Sequence, residues 1–137
     1  MAYWLVKSEP SSYSWERMVK DGRTFWSGVR NFQASSNMKA MKKGDRAFFY
    51  HSGDDKAVVG TVEIVKEYYP DHTDETGKFG MVDVKAGAVL KSPVTLAAIK
   101  AEPKLKNLLL IRHSRLSVVP IDEPSWRLIC AMGGIKP

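Results

Sequence analysis

A chain of 137 residues is the usual size of one domain, and with 44% hydrophobic and 26% charged side chains it can bury a core and keep a solvated surface. No run approaches the roughly 18 apolar residues of a membrane span, Lys7 and Glu9 come too early for the apolar core of a signal peptide, and the single Cys130 excludes an internal disulfide. The formal charge of +6 favours polyanionic partners, because Lys and Arg near phosphates release counterions on binding. These features lead us to expect an intracellular, cytoplasmic protein with no membrane partner.

Tyr3 to Lys7 alternates large side chains and predicts a strand ended by Pro10. Ser12 and Ser14 offer caps for a short helix, WERMVKDG, that Gly22 stops. The segment TFWSGVRNFQ has no clean period and reads as a loop into a helix from Ala34 to Lys42. RAFFYH (Arg46 to His51), the turn Ser52-Gly53-Asp54-Asp55 and the β-branched run Ala57 to Tyr69 predict a hairpin, with Gly60 marking a bulge or a close backbone approach. A polar loop, DHTDETGK, precedes a third strand from Phe79 to about Leu90 and a short helix near Leu96 to Lys100. Leu105 to Ile111 is apolar and fits either element. RLSVVP predicts another strand, and Asp122 caps a final helix, EPSWRLICAM, that ends at Gly133-Gly134 and encloses Cys130 as a buried, inert thiol. Strands outnumber helices, which is the pattern of a small α+β barrel decorated by short helices.

Catalytic chemistry finds little support. Ser8 or Ser52 with His51 could be assembled into a nucleophile–base pair, but no nucleophile elbow frames them. His51, His72 and His113 lack mutual metal-ligand spacing, and Asp71-His72-x-Asp74 reads as an ordinary polar loop. No glycine-rich phosphate loop is present. The expectation is therefore no catalytic residue, no metal and no cofactor.

More specific are three polar–aromatic clusters at the ends of predicted elements: Lys7-Ser8-Glu9-Pro10, Trp26-Ser27-Gly28-Val29-Arg30-Asn31 and Tyr50-His51-Ser52. A pocket for a nucleobase needs a flat aromatic for stacking and fixed donors and acceptors for the base edge. Trp26 could instead plug the barrel end while Arg30 and Asn31 cap the next helix, and the residues alone leave the two readings even.

These clusters recur in an ordered set: YWLVKSEP (3–10), WSGVRNFQA (26–34), MKKGDRAFFYHS (41–52), VKEYYPDHT (65–73) and RLSVVP (115–120). Together they resemble the motifs of the EVE domain, from Tyr3 to the final helix. The resemblance implies one EVE domain over residues 1–137, with a PUA-like mixed β pseudo-barrel decorated by short helices. It also implies recognition of a modified base, with cytosine substituted at carbon five in DNA as the leading expectation. By similarity to the YTH readers, the base site is expected to include Lys7, Ser8, Glu9, Trp26, Ser27, Gly28, Arg30 and Asn31, with Tyr50, His51 and Ser52 as neighbours. Tyr68 and Tyr69 are candidates to oppose Trp26, and Glu9 is the expected acceptor for an exocyclic amine. Lys39, Lys42 and Lys43 are expected to contact phosphate. The leading reading is a non-catalytic reader of modified DNA; an RNA-binding PUA-like module comes second and a small nucleotide-processing enzyme third. The sequence does not give the oligomeric state.

Overall fold

The computed structural model describes Met1 to Pro137. Its six-stranded mixed sheet runs in the order β2-β5-β4-β3-β1-β6 and does not close, so β2 and β6 are its outer strands. This is the mixed α+β pseudo-barrel that the resemblance implies. Strand β1 (Tyr3–Ser8) lies parallel to β3 (Arg46–His51), with Tyr3 opposite Arg46 and Ser8 opposite His51, and antiparallel to β6 (Val118–Ile121). Parallel neighbours need a long crossover. Helix α1 (Trp15–Asp21), strand β2 (Arg23–Phe25) and helix α2 (Phe32–Ala40) supply it.

The hairpin of β3 and β4 (Ala57–Pro70) forms as the sequence indicates, and β4 continues into a long antiparallel pair with β5 (Gly80–Thr95). The ladder shifts register on both sides of Gly60. A Cβ built at Gly60 would lie 2.4 Å from the Trp15 ring, so the indole of α1 rests on bare backbone. Both halves of the expectation for this glycine are met.

Several boundaries differ from the sequence reading: β5 runs on to Thr95 instead of ending near Leu90, and β6 begins at Val118 instead of Arg115. Arg23–Phe25 pairs with Lys85–Asp83 as a three-residue strand, too short to show alternation and held by β5 rather than by its own pattern. Helix α2 starts at Phe32, because the Asn31 side chain accepts the Ala34 N–H, and it stops at Ala40. The Asp45 carboxylate then gathers the N–H groups of Ala2 and Lys42 and the Trp4 indole N–H, which fixes the turn into β3. The ambiguous apolar run becomes a 3₁₀ turn (Pro103–Leu105) after helix α3 (Leu96–Ala101), and then a one-turn helix α4 (Leu109–Arg112).

Helix α5 (Glu123–Met132), capped by Asp122, closes the core. Its Trp126 ring stacks on Phe48 at 3.9 Å and on Tyr3 at 4.6 Å. Cys130 is fully buried beside it, and burial pushes its thiol pKa up.

Gly60→Val forces either Trp15 or the β4 backbone to move. The expected cost is about 1–3 kcal/mol of overpacking, read as a lower midpoint in chemical denaturation; an unchanged midpoint would show that Trp15 can relocate freely.

Candidate nucleic-acid interface

One cavity of about 940 Å³ opens at the C-terminal end of β1. Lys7 and Ser8 reach it from β1, Ser12 and Tyr13 from the turn that follows, and Arg17 and Asp21 from α1. The continuous stretch Thr24 to Asn31 forms the opposite wall, and Ser117 completes it from the segment before β6. The Lys7-Ser8 strand end and the Trp26 loop, 18 residues apart in sequence, therefore share one site.

The Trp26 loop is held by a buried carboxylate. Asp71, whose side chain is fully buried, accepts the Gly28 N–H (2.8 Å), an Arg30 guanidinium N–H (3.0 Å), and the N–H and hydroxyl of Thr73 (2.7 and 2.6 Å). Burial by itself raises the pKa of a carboxyl group. Here the Thr73 hydroxyl, the N–H groups of Gly28 and Thr73, and Arg30 together outweigh it and hold Asp71 well below the ordinary carboxylate range. Gly28 has φ of 84°, a left-handed conformation that points its amide at Asp71 at little steric cost. The polar loop after β4 thus contributes a latch that the sequence reading passed over.

Trp26 does not choose between core and cavity. It is only 8% exposed, its backbone N–H donates to Val82 O, and its ring meets Phe49 edge-on at 5.5 Å while still lining the cavity. Its aromatic neighbours in the lining are Tyr13, edge-on at 6.3 Å, and the half-exposed Phe25. Sequence reasoning missed Tyr13, although a lone aromatic in the polar run Ser11 to Ser14 was the available signal. Tyr68 and Tyr69 do not oppose Trp26. The Tyr68 hydroxyl bonds Ser35 and its ring fills the space above Gly80, while Tyr69 donates to Asp83. Burial and that bond push the Tyr69 pKa up to about 12.

The polar groups divide by what they have left to offer. Asn31 spends its Oδ1 on Ala34, which leaves the amide Nδ2 as a donor. The Ser8 hydroxyl donates to Tyr13 O and keeps its acceptor capacity. Asp21 accepts from the Tyr13 hydroxyl (2.8 Å) and Arg17, interactions that lower its pKa. Lys7 donates to Ser114 O at 2.9 Å with its ammonium 5.8 Å from the Tyr50 ring, and burial lowers its pKa.

Several expected residues fall elsewhere. Glu9 is exposed and outside the lining; its carbonyl instead accepts from Ser12 and Tyr13 in the turn. Tyr50 is buried in the core, because it faces inward from β3. His51 accepts the Trp15 N–H at Nε2 (2.9 Å), so its Nδ1 carries the proton shared with Asp55 (3.1 Å). That histidine anchors the start of α1. Ser52 bonds back to Ser8 O through its N–H and does not line the cavity. Lys42 and Lys43 lie in the turn before Arg46, at the far end of β3 from His51 and Ser8, about 17 Å away at strand spacing. Lys39 places its ammonium 5.5 Å from the Tyr68 ring, also outside the lining.

The chain belongs to the EVE domain family, whose model matches residues 2–132. Thymocyte nuclear protein 1 of Gallus gallus is 36% identical over 98% of this chain and 70% of its own length. The NMR structure of Rpa0253 from Rhodopseudomonas palustris is 55% identical, with a TM-score of 0.92 over 98% of this chain and 94% of that one. Human THYN1, solved in complex with DNA containing 5-methylcytosine, is 32% identical with a TM-score of 0.92 over the whole of both chains.

The Asp71 latch predicts a pH signature. The folded carboxyl is more acidic than the unfolded one, at about 3.9. Its ionised form therefore stabilises the fold fully above about pH 4, and that contribution is lost as pH falls through the folded value. Asp71→Asn is expected to cost about 2 kcal/mol at pH 7. In urea unfolding the gap to the parent protein should narrow as pH drops below 4; a gap independent of pH would count against the latch.

Proposed function

We propose that this protein is a non-catalytic reader of DNA that holds a 5-methylated cytosine in the cavity at the end of β1. One observation carries the reading: a single cavity brings Trp26, Tyr13 and Phe25 together with a mixed set of donors and acceptors. Human THYN1, similar over the whole of the chain in its solved structure, was solved with DNA containing 5-methylcytosine. A volume of about 940 Å³ lies in the upper part of the ~300–1,000 Å³ range of small-molecule clefts and leaves room for an entire nucleotide.

The edge chemistry fits cytosine. Its exocyclic amine donates, and its ring nitrogen and carbonyl accept. The Asp21 carboxylate can only accept and takes the role expected of Glu9, while the Asn31 Nδ2 can only donate. The Ser8 and Ser27 hydroxyls supply further partners. The 5-methyl group adds apolar surface that an aromatic wall removes from water. Reaching such a cavity from a duplex requires the base to leave the stack, at a cost of a few kcal/mol that an already single-stranded target avoids. No histidine is among the lining residues, and His51, beside Ser8 in the sheet, is committed to the Trp15 backbone N–H and Asp55.

Trp26→Leu keeps an apolar side chain in a buried position and removes the planar face. It is expected to weaken binding to a short strand carrying 5-methylcytosine by about 1–3 kcal/mol, with thermal unfolding confirming a folded variant. Fluorescence anisotropy on paired oligonucleotides should show the unmodified strand bound more weakly by the parent protein. Equal binding of the two strands, unaffected by Trp26→Leu, would overturn the reading.

A further inference from the structure

Beside the first cavity lies a second, of about 410 Å³, and the two share Asn31 in their walls. Gln33 adds to it from α2, and Arg112, His113, Ser114 and Arg115 form its other side. The geometry points to this second cavity as the seat of the phosphodiester backbone next to the base held in the first, an assignment that rests on the reading above.

Charge is the first argument. No carboxylate lines the second cavity, and none occurs between Glu102 and Asp122, a stretch that contains Lys104, Lys106, Arg112 and Arg115. The arginines of the first cavity are already neutralised. Arg30 pairs with Asp71 at 3.0 Å and Arg17 with Asp21 at 3.3 Å. Arg112 bonds only neutral oxygens, Lys106 O and Asn107 Oδ1, and so keeps its full charge. Arg115 is exposed and makes neither a hydrogen bond nor an ion pair within the chain. A phosphate entering here meets free cations together with the neutral donors Gln33 and Ser114.

Position is the second argument. Lys7, from the β1 end that lines the first cavity, donates to Ser114 O at 2.9 Å. That bond locks the 113–116 segment beside the base site, and Ser117 carries the same segment into the first cavity. Lys7 is thereby a positioning residue, its charge turned toward a backbone carbonyl. Lys42 and Lys43 have no comparable place, since they sit at the opposite end of the sheet.

The test compares a short single-stranded DNA carrying one 5-methylcytosine with the free nucleoside 5-methyl-2′-deoxycytidine. Arg115→Gln should weaken oligonucleotide binding on methylated and unmethylated strands alike. It should also flatten the slope of log affinity against log salt by about one. The nucleoside carries no phosphate, so its affinity, followed by NMR titration, does not respond to this change. Lys42→Gln should leave the slope as it is. An unchanged slope in Arg115→Gln, or a flattened one in Lys42→Gln, overturns the assignment. If Trp26→Leu still loses nucleoside binding in that case, the base-site reading stands alone. A parent protein that binds neither ligand overturns both. Inorganic phosphate that competes with the nucleoside as well as with the oligonucleotide also overturns it, because the anion would then occupy the first cavity.

Discussion

A carboxylate taken out of water must be met by donors on every side or it will protonate or pull the structure apart. Asp71 has no exposed side-chain surface, and its partners come from two segments that no strand pairing joins: its own turn, through Thr73, and the Trp26 loop, through Gly28 and Arg30. Satisfying that one charge therefore sets where the loop runs. It demands a left-handed Gly28, holds the Arg30 guanidinium 5.8 Å from the Phe79 ring, and leaves Trp26 with its backbone N–H on Val82 O and its ring against Phe49. The cavity wall is the consequence. Packing alone would let an irregular stretch such as Trp26 to Asn31 take several courses; a buried charge with directional bonds admits few.

The opposite wall depends on the parallel pairing of β1 with β3. That register brings Ser8 beside His51 at one end of the sheet, and His51 then accepts the first amide of α1. With the start of α1 fixed there, its Trp15 lies flat over Gly60 and its Asp21 reaches the Tyr13 hydroxyl. Tyr13, one residue before the Ser14 cap, has little choice but to line the cavity. The histidine that could have been read as chemical thus holds the start of α1 in place.

What could be read from the sequence follows from how local each signal is. The strands Arg46–His51 and Ala57–Pro70, the caps Ser14 and Asp122, and the close approach at Gly60 each announce themselves within a few residues. That the Lys7-Ser8 and Trp26–Asn31 segments would meet at one cavity was legible because polar groups and a large aromatic stood at element ends without a period of their own. Partners that depend on long-range placement were not legible. Asp71 looked like loop polarity until its donors 41 and 43 residues away were known. Glu9 and Asp21 are alike as acceptors in sequence, and only the turn that points Glu9 to solvent decides which one lines the cavity. Likewise Tyr68 and Tyr69 offered rings of the right kind, and their hydroxyl partners Ser35 and Asp83 place them away from it.

Net charge and usable charge are different quantities in this protein. A formal +6 favours polyanionic partners without saying where they would lie. Of the seven arginines, four face carboxylates: Arg17 with Asp21, Arg23 with Asp83, Arg30 with Asp71 and Arg127 with Glu123. Arg46 lies over the Trp126 ring, and the ammonium groups of Lys39 and Lys66 lie over Tyr68 and Tyr69. Each of these cations also has an intramolecular role that a ligand must compete with. Arg112 and Arg115 meet no carboxylate, and they border a cavity that shares Asn31 with the one lined by Trp26. A polyanion gains most where protein charge is least compensated, because an internal carboxylate offsets each cation it pairs with. The distribution of acids, more than that of bases, therefore gives the electrostatic field around the cavity its direction.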